Sequence, residues 1–129
     1  MKRLAACLLA GLALAGAGSC SDSSGPVAGD LTVSLTTPNP GADAALLLTV
    51  SGPQALTSVT APAGVRVFAQ PLGTVTRFAL TGTLTNGAVL TIGVTNVAQV
   101  AQYTATIQGV AAPDFQLRSL SGYSLTVAR

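Results

Sequence analysis

The sequence predicts an all-β protein, an antiparallel two-sheet sandwich of about seven or eight strands. Beyond residue 30, apolar residues alternate with polar ones in run after run, which is the period of a half-buried strand. Turn signals such as Ser51-Gly52-Pro53, Pro71-Leu72-Gly73 and Asn86-Gly87 separate the runs. No stretch beyond residue 30 keeps the spacing of an amphipathic helix. Short strands with one apolar face, in about 100 residues, fit two sheets packed face to face.

Seven apolar stripes define the strands. Their inward positions are, in chain order, Leu31/Val33/Leu35, Leu46/Leu48/Val50, Val65/Val67/Ala69, Phe78/Leu80, Leu90/Ile92/Val94, Tyr103/Ala105/Ile107 and Tyr123/Leu125/Val127. The segment 96–102 has room for one helical turn at most. Helix therefore contributes little to the expected fold.

The N-terminal segment has a different character. Lys2 and Arg3 precede an uncharged apolar run that ends in Gly18-Ser19-Cys20. A basic start, a short apolar stretch and small residues at its end are typical of a secretory signal peptide. The apolar run of about 14 residues is short for a permanent membrane span. We expect a signal peptide (1–19), a lipidated cysteine with a flexible tether (20–29) and a β-sandwich domain (30–129).

The residues Leu14-Ala15-Gly16-Ala17-Gly18-Ser19-Cys20 resemble the lipobox of bacterial lipoproteins, although Ala17 stands where Leu is usual. The resemblance implies lipidation of Cys20 and membrane attachment through its acyl chains. Cys7, the only other cysteine, lies in the expected signal peptide, so no partner remains for a disulfide in the domain. The alternative is ordinary signal cleavage that leaves Cys20 as an unmodified thiol.

The segment after Cys20 is rich in Ser, Gly and Pro and is expected to be a flexible tether with a span of about 15–18 Å. The domain would then lie close to a membrane in the cell envelope. The lipoprotein resemblance also bears on which membrane this is. Ser21, rather than Asp, follows the cysteine, which favours the outer membrane if the host has two membranes.

The charge balance argues against nucleic acid as a partner. Beyond residue 19 the chain has four arginines and four aspartates, so its net charge is zero. Binding to nucleic acid depends mainly on neutralising phosphates with clustered basic residues. We therefore expect no nucleic-acid binding.

The residue inventory also argues against an enzyme. The sequence has no His, and its only Lys is Lys2, so neither a Ser-His-Asp nor a Ser-Lys arrangement is available. Glycosidase chemistry needs two carboxylates across one substrate. The domain offers only Asp30, Asp43 and Asp114, which we interpret as turn or cap residues whose carboxylates bind nearby backbone N–H groups. We expect no catalytic residues and no cofactor.

Metal binding is not expected either. Zinc and copper sites need His or thiolate ligands, and calcium sites built from side chains need clustered carboxylates. The sequence contains no Asp-x-Asp pattern. A calcium site of backbone carbonyls that includes Asp114 is left open.

One surface patch is a candidate for ligand contact. Arg66 and Phe68 alternate with Val65 and Val67, so they point away from the core. A hairpin about Pro71-Leu72-Gly73 would place Arg77 on the same outer face as these two side chains. An exposed aromatic ring between two guanidinium groups suits a sugar or an acidic peptide. The alternative is that Phe68 belongs to a second small core and that the arginines only improve solubility.

Two short segments resemble known β-sandwich families. Tyr103-Thr104-Ala105-Thr106-Ile107 is similar to a late strand of immunoglobulin-like domains, and residues 86–94 resemble a strand of cohesin-type modules. The cohesin resemblance implies a small helical docking partner. The Trp and the disulfide of antibody domains are both missing from the sequence.

These observations favour a membrane-anchored, extracytoplasmic binding or adhesion module with a protein or glycan partner. The alternative is a structural lipoprotein of the envelope that pairs with another β-domain through an exposed strand edge.

The lipid anchor is testable in cells that produce the full chain. Cys20→Ala removes the only thiol at the predicted cleavage site, so the variant should incorporate no fatty-acid analogue and should leave the membrane fraction. Metabolic labelling and fractionation measure both effects. Equal labelling of the wild type and the variant would contradict the lipoprotein prediction.

Overall fold

A computed structural model describes residues 25–129. The predicted signal peptide, and the lipidation of Cys20, lie outside the described residues. The backbone is already bound to the domain at Val27, whose carbonyl accepts a hydrogen bond from Val97 N at 2.9 Å. The first strand begins at Gly29, one residue before the boundary predicted from the sequence. Within residues 25–129, no helix has the length and apolar character needed to cross a bilayer.

Eight strands form two antiparallel sheets of four, which confirms the predicted all-β two-sheet class. The strands are β1 (Gly29–Thr36), β2 (Asp43–Ser51), β3 (Ser58–Thr60), β4 (Val65–Leu72), β5 (Val75–Leu84), β6 (Gly87–Val94), β7 (Thr104–Ala111) and β8 (Ser124–Ala128). The first sheet has the order β3-β6-β1-β8 and the second sheet the order β4-β5-β2-β7. The three-residue β3 has no counterpart among the seven stripes.

The strand pairing is nested. β1 pairs with β8, β2 with β7, β3 with β6 and β4 with β5, and the pairs β1·β6 and β2·β5 complete the two sheets. Eight strands wrapped in this way form a double-sheet jelly roll. An immunoglobulin domain differs, because its first two strands are neighbours in one sheet. Here the chain crosses between the sheets after β1.

The core lies between the two sheets and is built by the central strands. Inward residues of β1, β2, β5 and β6 are almost fully buried because each alternates with a residue on the outer face. The largest fully buried side chains are Leu31, Leu46, Leu48, Leu80, Leu84, Leu90 and Ile92. Edge strands contribute less, and Val65, Val67, Leu125 and Val127 are only partly buried against this core.

The hairpin predicted after residue 65 is present, but its turn is one step further along the chain. β4 and β5 pair from Val65↔Gly82 to Leu72↔Val75, so the loop is Gly73–Thr74 and both Pro71 and Leu72 belong to β4. Gly73 has a φ of 73°, which a residue without a Cβ adopts at little cost.

The two ends of the sandwich have different roles, and we call them proximal and distal. At the proximal end, where β1 begins, a 3-10 helix (Val97–Gln102) covers the core with Val97. The segment spans six residues but has a kink at Gln99 (φ −90°, ψ 19°), so it consists of two short pieces and not of one continuous helix. Asn96 caps it through an Oδ1 that accepts from Ala98 N at 3.1 Å. The distal end, where β1 ends, carries the long loop 112–123.

Candidate functional site

The second sheet brings the three predicted contact residues together on its outer face. Arg66 lies opposite Thr81 and Phe68 opposite Ala79, while Arg77 lies opposite Gln70. All three side chains are exposed. Phe68 is therefore diagonal to Arg77 and two residues from Arg66, at Cα distances of about 8 Å and about 7 Å for standard strand geometry.

Leu47 of β2 extends this surface. It lies opposite Ala79 in β5 and opposite Gly109 in β7. Its side chain reaches over Gly109, and half of it (51%) remains exposed. We call the outer surface that is formed by Arg66, Phe68, Arg77, Leu47, Ala79 and Thr81 the basic face.

Phe68 is not part of a second small core. Its side chain is 56% exposed and does not belong to the buried cluster or to the hydrophobic residues packed against it. Phe78, on the opposite face of the same hairpin, is only 3% exposed. The period of two thus separates a structural phenylalanine from one that faces solvent.

The basic face has positive charge without compensation. Of the aspartates in the described residues, Asp30 lies on β1 in the other sheet, Asp43 is buried and Asp114 lies in the distal loop. The only salt bridge within residues 25–129 joins Arg118 to Asp43. Arg66 and Arg77 therefore have no carboxylate partner in the described part of the chain.

Two shallow depressions flank Arg77 on the basic face. One, of about 240 Å³, extends towards Phe68 and Ala79. The other, of about 580 Å³, extends towards Leu72 and Gln108. Leu47 and Arg77 line both of them. An open, shallow surface of this kind suits an extended partner better than an enclosed small molecule.

A separate polar cluster closes the distal end. The buried carboxylate of Asp43 accepts hydrogen bonds from Thr37 Oγ1 (2.5 Å), Arg118 Nε (2.7 Å) and Tyr123 OH (2.8 Å). Asn39 Nδ2 donates to the Tyr123 hydroxyl, and Arg118 also donates to the carbonyl of Ala42. A buried carboxylate is tolerable only when it is paired and hydrogen-bonded in this way.

The interpretation of Asp43 as a turn residue was wrong. The strand period alone would place Asp43 on the outer face with Ala45 and Leu47. A register shift between Asp43 and Ala45 in the pairing with β5 turns Asp43 inwards, as a β-bulge does. Its two long-range partners, Arg118 and Tyr123, are separated from it by 75 and 80 residues, so no local pattern indicates them.

Asp114 does have the turn role that the sequence indicates. Its Oδ1 accepts a hydrogen bond from Gln116 N at 3.1 Å. It also lines a cleft of about 360 Å³ at the distal end, together with Asn39, Arg118 and Tyr123. Within residues 25–129 no group of three His, Cys, Asp or Glu side chains is placed to hold a metal ion.

The distal loop carries two exposed apolar residues that no sequence pattern indicated. Phe115 is 90% exposed and Leu117 is 82% exposed. Phe115 is also the only non-glycine residue of the described chain with a positive φ, at 67°. A hydrogen bond from Ala112 N to Gln116 O lies within the loop, and one from Arg118 N to Val110 O holds the loop against β7.

Comparisons of the chain with protein-family models, with curated proteins and with solved structures give no match. We therefore infer the function of the chain from its own residues.

The Asp43 cluster can be tested by comparing the hydroxyls of the partly buried Tyr123 and the buried Tyr103. Tyr123→Phe removes a donor to Asp43, so the free energy of unfolding should fall by about 1–3 kcal/mol. Tyr103→Phe should be neutral or stabilising, because the buried Tyr103 hydroxyl has no hydrogen-bond partner within residues 25–129. Thermal or denaturant unfolding of the two variants compares them directly. An equal loss of stability in both would contradict the role given to the cluster.

Proposed function

We propose that this chain is a lipid-anchored, extracytoplasmic lipoprotein that acts as a non-catalytic binding or adhesion module. Its contact surface is the basic face of the second sheet. The observation that carries the proposal is the exposure of Phe68 between Arg66 and Arg77, on a surface without a carboxylate. A folded domain leaves such an apolar and charged patch open when a partner covers it.

The arrangement of the domain supports this assignment. The inward residues of β4 and β5 contribute to the core, while their outward residues lie outside it. A ligand on the basic face would therefore contact side chains whose backbone is fixed by the ladder between the two strands. Rigid placement of this kind reduces the entropy cost of binding.

The anchor fits a module that works at a surface. The chain leaves the sandwich at Val27, at the proximal end, and the short tether to Cys20 would hold the domain close to the membrane. The absence of an Asp directly after Cys20 favours the outer membrane in a host with two membranes. The partner would then be a protein or a glycan of the cell envelope or its surroundings.

A second candidate function is assembly with another β-domain through a strand edge. β4 is an edge strand of eight residues, which is long enough to accept a further strand. The other edge of this sheet, β7, is partly covered by the distal loop through the bridge Ala111↔Leu117. Pro71, which lacks an N–H donor, and the charge of Arg66 both oppose strand addition to β4.

Site-specific photo-crosslinking tests the binding proposal while the partner is still unidentified. A benzophenone amino acid replaces Phe68 in the full chain produced by the host. The matched control places it at Thr126, an exposed position on β8 in the first sheet. Position 68 should give a defined crosslinked product in the envelope, and position 126 should not. Equal crosslinking from both positions, or none from position 68, would contradict the proposal.

Stability measurements verify that this surface is free of structural roles. Phe68→Ala should lower the free energy of unfolding by less than about 1 kcal/mol, because much of the ring is already in solvent. Phe78→Ala, which empties a core position in the same hairpin, should cost about 3–5 kcal/mol. A loss of that size in Phe68→Ala would mean that Phe68 is a packing residue.

A further inference from the structure

We propose that the basic face binds a linear acidic polysaccharide. Phe68 would lie against a sugar ring, and Arg66 and Arg77 would pair with carboxylates of different sugar residues along the polymer. This inference rests on the proposed function, because it names the class of ligand for the same surface.

The charge of the face requires an anionic ligand. The domain as a whole is nearly neutral, but its positive charges are not evenly distributed. Arg118 is neutralised by Asp43 at the distal end, whereas Arg66 and Arg77 lie on a face without a carboxylate. Guanidinium groups recognise carboxylates through paired, charge-assisted hydrogen bonds.

The spacing of the arginines points to a polymer rather than a single small anion. Arg77 lies opposite Gln70, which is four residues along β4 from Arg66. With a rise of about 3.4 Å per residue and about 4.8 Å between strands, their Cα atoms are about 14 Å apart. A polymer with a carboxylate on each unit presents a separate charge to each arginine, so neither side chain has to lean over Phe68 to reach its partner.

The residues between the two arginines are suited to contact with a sugar ring of the ligand. Phe68 lies between them along β4, and its neighbour across the hairpin is the small Ala79. The depression beside Phe68 is thus lined by that aromatic ring and by Ala69 and Ala79, and Leu47, Gln70, Arg77 and Phe78 complete its lining. An aromatic face carries negative potential and attracts the polarised C–H groups of a sugar ring.

The position of the patch favours a polysaccharide over an acidic peptide. Peptides that bind to sheets usually add a strand at an edge, where backbone groups are free. Arg66 and Phe68 lie on the edge strand β4, but Pro71 of that strand lacks an N–H donor and opposes strand addition there. Arg77 and Leu47 lie on the central strands β5 and β2, whose backbone groups are used within the ladders. A peptide across this face would leave most of its own N–H and C=O groups to water, while sugar hydroxyls readily accept contacts mediated by water.

The test uses the full chain as the cell processes it, with polygalacturonate as the probe. Fully methyl-esterified polygalacturonate is the matched control ligand, because it keeps the sugar ring and the linkage and removes the charge. Polyglutamate represents an acidic peptide. Titration calorimetry or affinity electrophoresis at low and high salt measures binding of each polymer.

Polygalacturonate should bind, the esterified polymer should not, and binding should weaken as salt increases. Arg66→Gln and Arg77→Gln should each weaken binding about fivefold, the equivalent of an exposed charge pair of about 1 kcal/mol. Phe68→Ala should weaken it about fivefold to tenfold. Two variants are matched controls. Arg129→Gln removes a charge next to β8, Phe115→Ala removes an exposed ring at the distal end, and both should leave binding unchanged.

Three outcomes would overturn the inference. The first is no binding of polygalacturonate, the second is equal binding of polyglutamate that does not depend on Phe68, and the third is an equal effect of the control variants. If polygalacturonate does not bind but position 68 still gives a specific crosslink, the polysaccharide assignment fails and the binding function stands. If neither is observed, both proposals fail.

Discussion

The rest of the sandwich depends on how the buried carboxylate of Asp43 is neutralised. Its three donors come from the end of β1, from the distal loop and from the residue before β8, so one side chain links both sheets to the last third of the chain. Leaving a buried carboxylate without one of its hydrogen-bond partners costs about 1–3 kcal/mol, which is a noticeable share of the about 5–15 kcal/mol that stabilises a typical domain. The cluster therefore holds the distal loop and the start of β8 against the two sheets.

The strand that Asp43 begins also contributes to the surface that we assign to binding. After the register shift between Asp43 and Ala45, the pairing of β2 with β5 is regular and places Leu47 opposite Ala79. A second register shift, between Leu47 and Leu48, places Gly109 beside Leu47 on the other side. Across the basic face, the small residues Ala79 and Gly109 thus alternate with Phe68 and Leu47. The structural cluster and the proposed contact surface are thus connected through β2.

Much of this fold can be predicted from the sequence because buried and solvent-facing residues alternate along a β-strand, and this alternation is visible in the sequence. All seven predicted stripes correspond to strands, and the alternation also places Arg66, Phe68 and Arg77 on one outer face. The residues that were not predicted lie where the alternation of inward and outward side chains is interrupted. Asp43 is turned inwards by a bulge, β3 is too short to show an alternation, and Phe115 is exposed by a loop conformation. Pairing between distant residues, such as Asp43 with Arg118, has no local signal.

The central claim is that ligand contact occurs on the basic face, and nuclear magnetic resonance tests it most directly. Amide shifts of the isotopically labelled protein would be followed during titration with short polygalacturonate oligomers. We expect shifts that cluster in residues 66–70, 77–81 and 45–49 and that saturate together. Shifts confined to the distal loop around Phe115, or spread evenly over both sheets, would contradict contact at this surface.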